Sequence, residues 1–183
     1  MKMNYKKSLK LITLLVSALL IGTVSASVYY SLTMTSTVSV ATNDVYFVLG
    51  ADNETAGVSL TGARNTTATI SSLKAYANAT TTYSDPLKVR NNATSGTTNI
   101  RLRPVTLSGG ASQFVFINFT LNDGATTYAS LNYTSNGSVW TTPSTTSFVQ
   151  ISAPTEWYVT IETKAIDGAT SASVTIAIAV DIQ

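Results

Sequence analysis

Residues Ser27 to Val40 read S-V-Y-Y-S-L-T-M-T-S-T-V-S-V. From Val28 on, every second position carries Val28, Tyr30, Leu32, Met34, Ser36, Val38 and Val40, an apolar row with one polar gap. The positions between them are Tyr29, Ser31, Thr33, Thr35, Thr37 and Ser39. A strand sends successive side chains to opposite faces, so this period of two separates an apolar face from a hydroxyl face. A helix would mix both sets on every face. The β-branched Val and Thr favour the same reading. Thirteen residues without Gly or Pro span about 43 Å at the rise of a strand, roughly twice the usual length. So long a strand, apolar on one side, needs something to cover its row and pair its backbone.

The alternation continues along the chain. After Ala41-Thr42-Asn43-Asp44, read as a turn or hinge, Val45 to Leu49 is apolar on both faces, the pattern of a central strand. Val58 to Leu60 is a short strand candidate, and Ile70, Leu73 and Ala77 stand at helical spacing, enough for one turn. Asp85-Pro86 opens a strand through Leu87 and Val89, and Asn91 to Gly96 is a turn cluster. Asn99 to Leu107 returns with Ile100 and Leu102 inward and Arg101 and Arg103 outward, so the two segments read as a hairpin. Gln113 to Leu121 sets Val115, Ile117, Phe119 and Leu121 against Phe114, Phe116, Asn118 and Thr120, ahead of the hairpin turn Asn122-Asp123-Gly124. Further strands are expected at about Thr127 to Tyr133, Ser138 to Thr141, Ser147 to Ser152, Glu156 to Ile166 and Ser173 to Ile182. Short strands with frequent turn signals predict an all-β fold, a jelly-roll-like β-sandwich over residues 43–183.

Residues 1–26 read as a Sec-type signal peptide. Lys2, Lys6, Lys7 and Lys10 precede the apolar run Leu11 to Val24, which is short for a membrane span. Val24-Ser25-Ala26 fits the small-residue cleavage rule and makes Ser27 the first mature residue, leaving residues 27–42 as an extended strand and hinge. An uncleaved anchor is one alternative. The other is a type IV pilin or archaellin leader, cut ahead of the apolar run, which would then continue as a helix through Val28 to Val40 against the strand pattern. The leader also carries the positive charge. Without its four lysines, seven basic side chains face nine acidic ones, a net of −2, so no basic footprint for nucleic acid exists.

Cys and His are both absent. Thiolate and imidazole nucleophiles, Ser-His-Asp triads and His-based zinc sites are thereby excluded. A pair of carboxylates could still act as in glycosidases, but the nine acids form no obvious pair in the sequence. The expected protein is not an enzyme and needs no cofactor or metal. Asp52-Asn53-Glu54 and Asn122-Asp123-Gly124 could touch Ca²⁺, yet turn chemistry explains both. Trp140, Trp157 and Tyr158 could form a sugar-stacking platform, although core packing is the commoner role for such residues.

Seven sequons punctuate the chain, at Asn53, Asn65, Asn78, Asn92, Asn118, Asn132 and Asn136. Chance supplies roughly three to four at this Ser and Thr content. With a secretory leader they predict N-linked glycans, first at Asn53, Asn65, Asn92 and Asn136 in expected loops. Asn118 falls in a strand and is usable only if its face points outward.

A Sec-type leader, a long alternating strand directly after it, and a Cys-free, Thr-rich sandwich closed by an alternating last strand together resemble the archaeal thread and bundling-pilus subunits. Those are similar to the TasA and camelysin group of biofilm-matrix fibre proteins. D-P-L-K-V-R-N-N from Asp85 and N-I-R-L-R-P from Asn99 look like that group's P-L-x-V-x-N … x-R-L hairpin. The resemblance implies an extracellular, cell-surface filament of head-to-tail copies, polymerised by donor-strand complementation and serving adhesion or biofilm. Its donor here would be Val28, Tyr30, Leu32, Met34, Val38 and Val40, its contacts neighbouring filaments or other cells, and its only meeting with membrane the act of export. The alternative is a secreted monomeric adhesin or surface-layer-associated sandwich, in which the same strand folds back on its own domain.

The leader reading makes a direct prediction: Edman sequencing of the native protein begins at Ser27, whereas a native N-terminus that retains Leu11 to Val24 contradicts it.

Overall fold

The computed structural model describes Lys10 and residues 12–14, 44–77, 79–169 and 174–183. Residues 28–40, expected as a long strand, the cleavage residues Ala26 and Ser27, and the sequon at Asn78 lie outside the described residues. The chain divides into two compact units, Met1–Val40 and Ala41–Gln183. In the first, Lys10 and residues 12–14 are helical. Among the described residues no helix is long and apolar enough to cross a membrane.

The second unit is an all-β sandwich of two antiparallel sheets. The first sheet runs in the order β1 (Val45–Leu49), β4 (Thr81–Asn91), β10 (Thr155–Ala165), β6 (Phe114–Asn122), β7 (Thr127–Ser135), β8 (Trp140–Thr141). The second runs β2 (Val58–Thr61), β3 (Thr67–Ile70), β11 (Val174–Ile182), β5 (Thr97–Gly109), β9 (Val149–Ser152). A one-turn helix, α1 (Asn53–Ala56), links β1 to β2, and a 3₁₀ turn at Ala63–Asn65 links β2 to β3. Alternation builds the core. Phe47, Leu87, Val89, Ile117, Phe119, Leu121, Leu131, Val159 and Ile161 of the first sheet are fully buried, as are Ile70, Ile100, Leu102, Ile151, Ile176 and Ile178 of the second. The row expected on the last strand is buried from Val174 to Val180, and Arg101 and Arg103 point outward, both to Asp181. The segment with helical spacing forms no helix; Ile70 ends β3, and Leu73 is buried from a loop.

Three expectations are corrected. Among the described residues β1 is the terminal strand of its sheet, not a central one. Its second face is only half-covered, with Tyr46 and Val48 partly buried, and Leu49, which ends the row of Val45 and Phe47, is exposed. β4 and β5 do not form a hairpin, because they belong to different sheets. The chain between them arches over the core, and buried Asn91 closes the arch: its Nδ2 donates to the Ile151 carbonyl at 3.0 Å, and its Oδ1 accepts from the Ala93 amide at 3.1 Å. In β6 the faces switch. Pairing with β10 slips between Lys164 and Ala165, so Phe114 turns into the core beside Trp140 and Val115 turns out. A bulge produces such a switch by adding one residue to one strand, which the sequence pattern alone does not announce.

Another bulge accommodates Pro86. The pairing of β10 with β4 skips between Val159 and Ile161, and the extra residues around Asp85 are clamped by the turn after β1. The Gly50 amide donates to the Pro86 carbonyl at 3.1 Å and the Asp85 amide to Asp52 Oδ2 at 3.0 Å. A Cβ on Gly50 would lie 2.1 Å from the Asp85 carbonyl oxygen, so glycine is required there by close approach.

Asn91→Ala leaves the Ile151 carbonyl without its buried donor. It should cost about 1–3 kcal/mol of stability, read as a lower urea midpoint at unchanged slope; a midpoint equal to that of the parent protein contradicts the assigned role.

Candidate assembly surface

One flank of the sandwich is incomplete. β8 pairs only with Thr134 and Ser135, so residues 127–133 of β7 have β6 as their one strand partner among the described residues. In the opposite sheet β9 pairs only with Thr97 to Ile100, so residues 101–109 of β5 have β11 as their one strand partner among the described residues. β5 and β7 approach each other across the layer, which puts both open edges on the same flank. The connection from β8 to β9 crosses this flank and is tied down at two points. Trp140 Nε1 donates to the Gly109 carbonyl at 2.7 Å, and Thr146 exchanges bonds with the backbone of Leu102: the Thr146 amide donates to the Leu102 carbonyl and the Leu102 amide donates to Thr146 Oγ1, each at 3.0 Å.

Apolar side chains collect where the edges open. Of seven exposed large apolar residues in the sandwich, four stand on strands or connections of this flank: Val105, Tyr128, Val139 and Phe148. Val139 is 64% exposed and Val105 42%. Val105 is the extra residue at the slip in pairing between β5 and β11, opposite Ala177 and Ile178. Beyond it Leu107 is only partly buried against the core. Unpaired strand edge next to uncovered apolar surface is the combination that pairs with another strand.

At one end of this flank the β6–β7 turn is rigidly built. Asp123 Oδ1 accepts from the amides of Thr126 at 2.7 Å and Ala125 at 2.9 Å, and Oδ2 accepts from the Tyr128 hydroxyl at 2.7 Å. These donors, the Thr126 amide foremost, hold the carboxyl down at about 2, since hydrogen bonds to the charged form favour it. The Tyr128 ring lies flat on Trp157, with centroids 4.0 Å apart. Asn122 Oδ1 accepts from the Gly124 amide at 3.0 Å, so the turn residues that could have touched Ca²⁺ bind their own backbone. Asp52 and Asn53 do the same, on Asp85 and Gly50. Among the described residues no three acidic side chains gather. Glu156 pairs with Arg90, Asp181 with Arg101 and Arg103, and Asp85 with Lys88. The two tryptophans sit in separate packing contacts, Trp140 beside Phe114 and Trp157 under Tyr128, and share no platform.

Of the described sequons, Asn118 and Asn132 lie on strands of the first sheet and the others in connections. Asn65, Asn92, Asn132 and Asn136 are exposed. Asn53 starts α1 and donates to the Gly50 carbonyl, and Asn136 Oδ1 caps its own turn through the amides of Ser138 and Val139. Asn118 lies on the outward face of β6, the condition its use required, but is half-buried. The open edges were not legible as a site, because an edge is defined by absent neighbours and no residue marks it. No protein-family model matches the chain, and no curated protein matches it.

The Asp123 geometry fixes a pH dependence. Its folded pKa is depressed from 3.8 to about 2, so its stabilisation is complete above the unfolded value and fades as pH falls through the folded one. Asp123→Ala should melt below the parent protein at pH 7, and the gap should close between about pH 4 and pH 2; a gap that is constant across this range contradicts the assignment.

Proposed function

We propose that the protein is a glycosylated structural subunit of an extracellular filament, polymerised head to tail by strand donation between copies. Residues 28–40 of one copy are the donor, and the outer edge of β5 beyond β9 on the next copy is the acceptor. The observation that carries this reading is the mismatch on that flank, where β5 outruns its outer strand partner β9 among the described residues and apolar side chains remain exposed beside it. The donor has what this edge lacks. It offers a continuous run of backbone groups for the ladder and an apolar row for Val105, Leu107 and Val139. Side-chain burial alone does not offset the ordering of so long a segment, so backbone pairing must contribute. The layout of the sandwich supports a polar assembly. The chain passes into the sandwich at Asp44, directly ahead of β1, and β1 and β7 stand at opposite sides of one sheet. The strand that the donor precedes in the chain and the acceptor edge thus stand on opposite flanks of the sandwich, a layout compatible with an open polymer.

A second reading has its own support. Because β1 is a terminal strand and residues 28–40 precede it almost directly, they could pair with β1 of the same copy, giving a secreted monomeric adhesin.

Substitutions in the full chain separate the two. Leu32→Asp or Met34→Asp buries a carboxylate without a partner, and a slip of one residue turns the whole apolar row outward. In the filament reading these changes abolish filaments in negative-stain micrographs and leave a soluble monomer. Thr33→Asp, on the hydroxyl face, preserves filaments, and Val105→Lys on the acceptor edge abolishes them. In the monomer reading the inward changes lower the melting temperature of an isolated chain, independently of concentration. Filaments that persist with Asp at both 32 and 34 contradict strand donation.

A further inference from the structure

The outer face of the first sheet holds two sequons in direct opposition. Asn118 on β6 pairs in register with Asn132 on β7, and directly opposed residues on one face have Cβ atoms only about 4.5–5.5 Å apart. The two are not equivalent. Asn118 is built into the face: its Nδ2 donates to Thr120 Oγ1 at 3.2 Å and Glu162 Oε2 at 3.4 Å, and its Oδ1 accepts from Ser130 Oγ at 2.6 Å. Asn132 is exposed. Beside it a shallow basin of about 390 Å³ is lined by Phe116, Asn118, Thr134, Ser135 and Glu162 as well as Asn132 itself. Phe116 pairs with Thr134, two residues from Asn132 on the same face, so its half-buried ring is a diagonal neighbour of Asn132.

We propose that Asn132 carries an N-linked glycan whose first pyranose lies in this basin, against the Phe116 ring and within reach of the Glu162 carboxylate, while Asn118 stays unmodified as its support. The inference rests on the glycosylated-subunit reading above. In the linking step Asn132 Nδ2 attacks the anomeric carbon of an oligosaccharide activated on a polyprenyl phosphate or pyrophosphate. The N–C bond forms, the C–O bond to the lipid carrier breaks, the carrier leaves as its phosphate or pyrophosphate, and the amide gives up one proton. The middle residues of the two sequons, Phe119 and Tyr133, are fully buried and meet edge to face at 5.9 Å. Neither sequon can be lifted into an enzyme once the sheet exists, so attachment precedes pairing of β6 with β7. Folding then discriminates. A glycan on Asn118 replaces one of the two N–H donors that hold Thr120 and Glu162 and sets a sugar in the middle of the sheet face, whereas the Asn132 side chain makes no hydrogen bond among the described residues for a glycan to displace. Sugars stack on aromatic rings by apolar C–H faces and donate hydroxyls to carboxylates, the two groups this basin supplies.

The test is made on full-length protein isolated from its native source. Glycopeptide mass spectrometry should find Asn132 occupied and Asn118 bare. Asn132→Gln, Phe116→Ala and the double variant then form a thermodynamic cycle. The melting temperature should drop for each single variant in glycosylated material, and the drop for the pair should be less than the sum. The same cycle in protein made without glycosylation should be additive, which a merely structural role for Phe116 would not produce. Glu162→Gln replaces Phe116→Ala in the cycle if the latter does not fold. Occupied loop sequons with Asn132 bare, a glycan on Asn118, or identical cycles in both preparations overturn the proposal. Seven bare sequons overturn the glycosylated-subunit reading along with it.

Discussion

Every structural feature of the second unit answers to one constraint: an apolar layer between two sheets must be sealed on all sides while every strand edge finds a partner. The layer itself is closed by inward rows such as Leu87, Val89, Ile100, Leu102, Phe119 and Ile178, all fully buried. Burial of this kind is non-directional and is satisfied by a period of two. Backbone pairing is directional and is satisfied only where another strand lies alongside. The two requirements are met together through the middle of both sheets and part company at the margins. There β8 and β9 are too short for the strands they border.

The cross-sheet connections show how the layer is held. Only β2–β3, β6–β7 and β7–β8 link neighbours within one sheet; the other successive strands change sheets. Polar side chains fix these crossings. Asn91 binds Ile151 across the layer, Trp140 reaches the end of β5, and Thr146 holds Leu102. Each bond joins one sheet, or the crossing segment, to the other. Of these side chains Asn91 is buried, and a buried polar group must be satisfied to be tolerated, which then fixes one arrangement among many apolar ones.

Much of this was legible in the sequence, for a physical reason that also marks where reading stops. Strand existence and inward rows depend on local alternation, so Val174 to Val180, the Ile100 and Leu102 pair and the Asn122-Asp123-Gly124 turn were all readable. Sheet membership depends on neighbours far along the chain. The segments from Asp85 and from Asn99 look like two arms of a hairpin because a turn cluster separates two alternating strands, and an arch between sheets presents the same local pattern. Asn91 was visible as a motif residue, but its role as a clamp requires Ile151, sixty residues away. Val45 to Leu49 misled through composition, since a terminal strand with a half-covered outer face carries the same residues as a central one. The switch of faces in β6 came from one bulge residue that no side chain announces.

The composition acquires a meaning from the fold. Outward rows carry Ser, Thr and Asn, as at Thr120, Ser130, Asn132, Thr134 and Thr160, with charges largely paired, Arg90 with Glu156 and Arg101 and Arg103 with Asp181, while four of the seven exposed large apolar side chains of the sandwich stand on the β5–β7 flank. The central claim is that this flank is the place where a strand of another copy pairs. Amide hydrogen exchange, compared between assembled filaments and dissociated monomer, tests it most directly, because a ladder bond protects the amide that donates it. The account predicts that outer-edge amides of residues 103–108 become protected in filaments while those of terminal β2 exchange equally in both. Equal exchange of residues 103–108 in filament and monomer would contradict it.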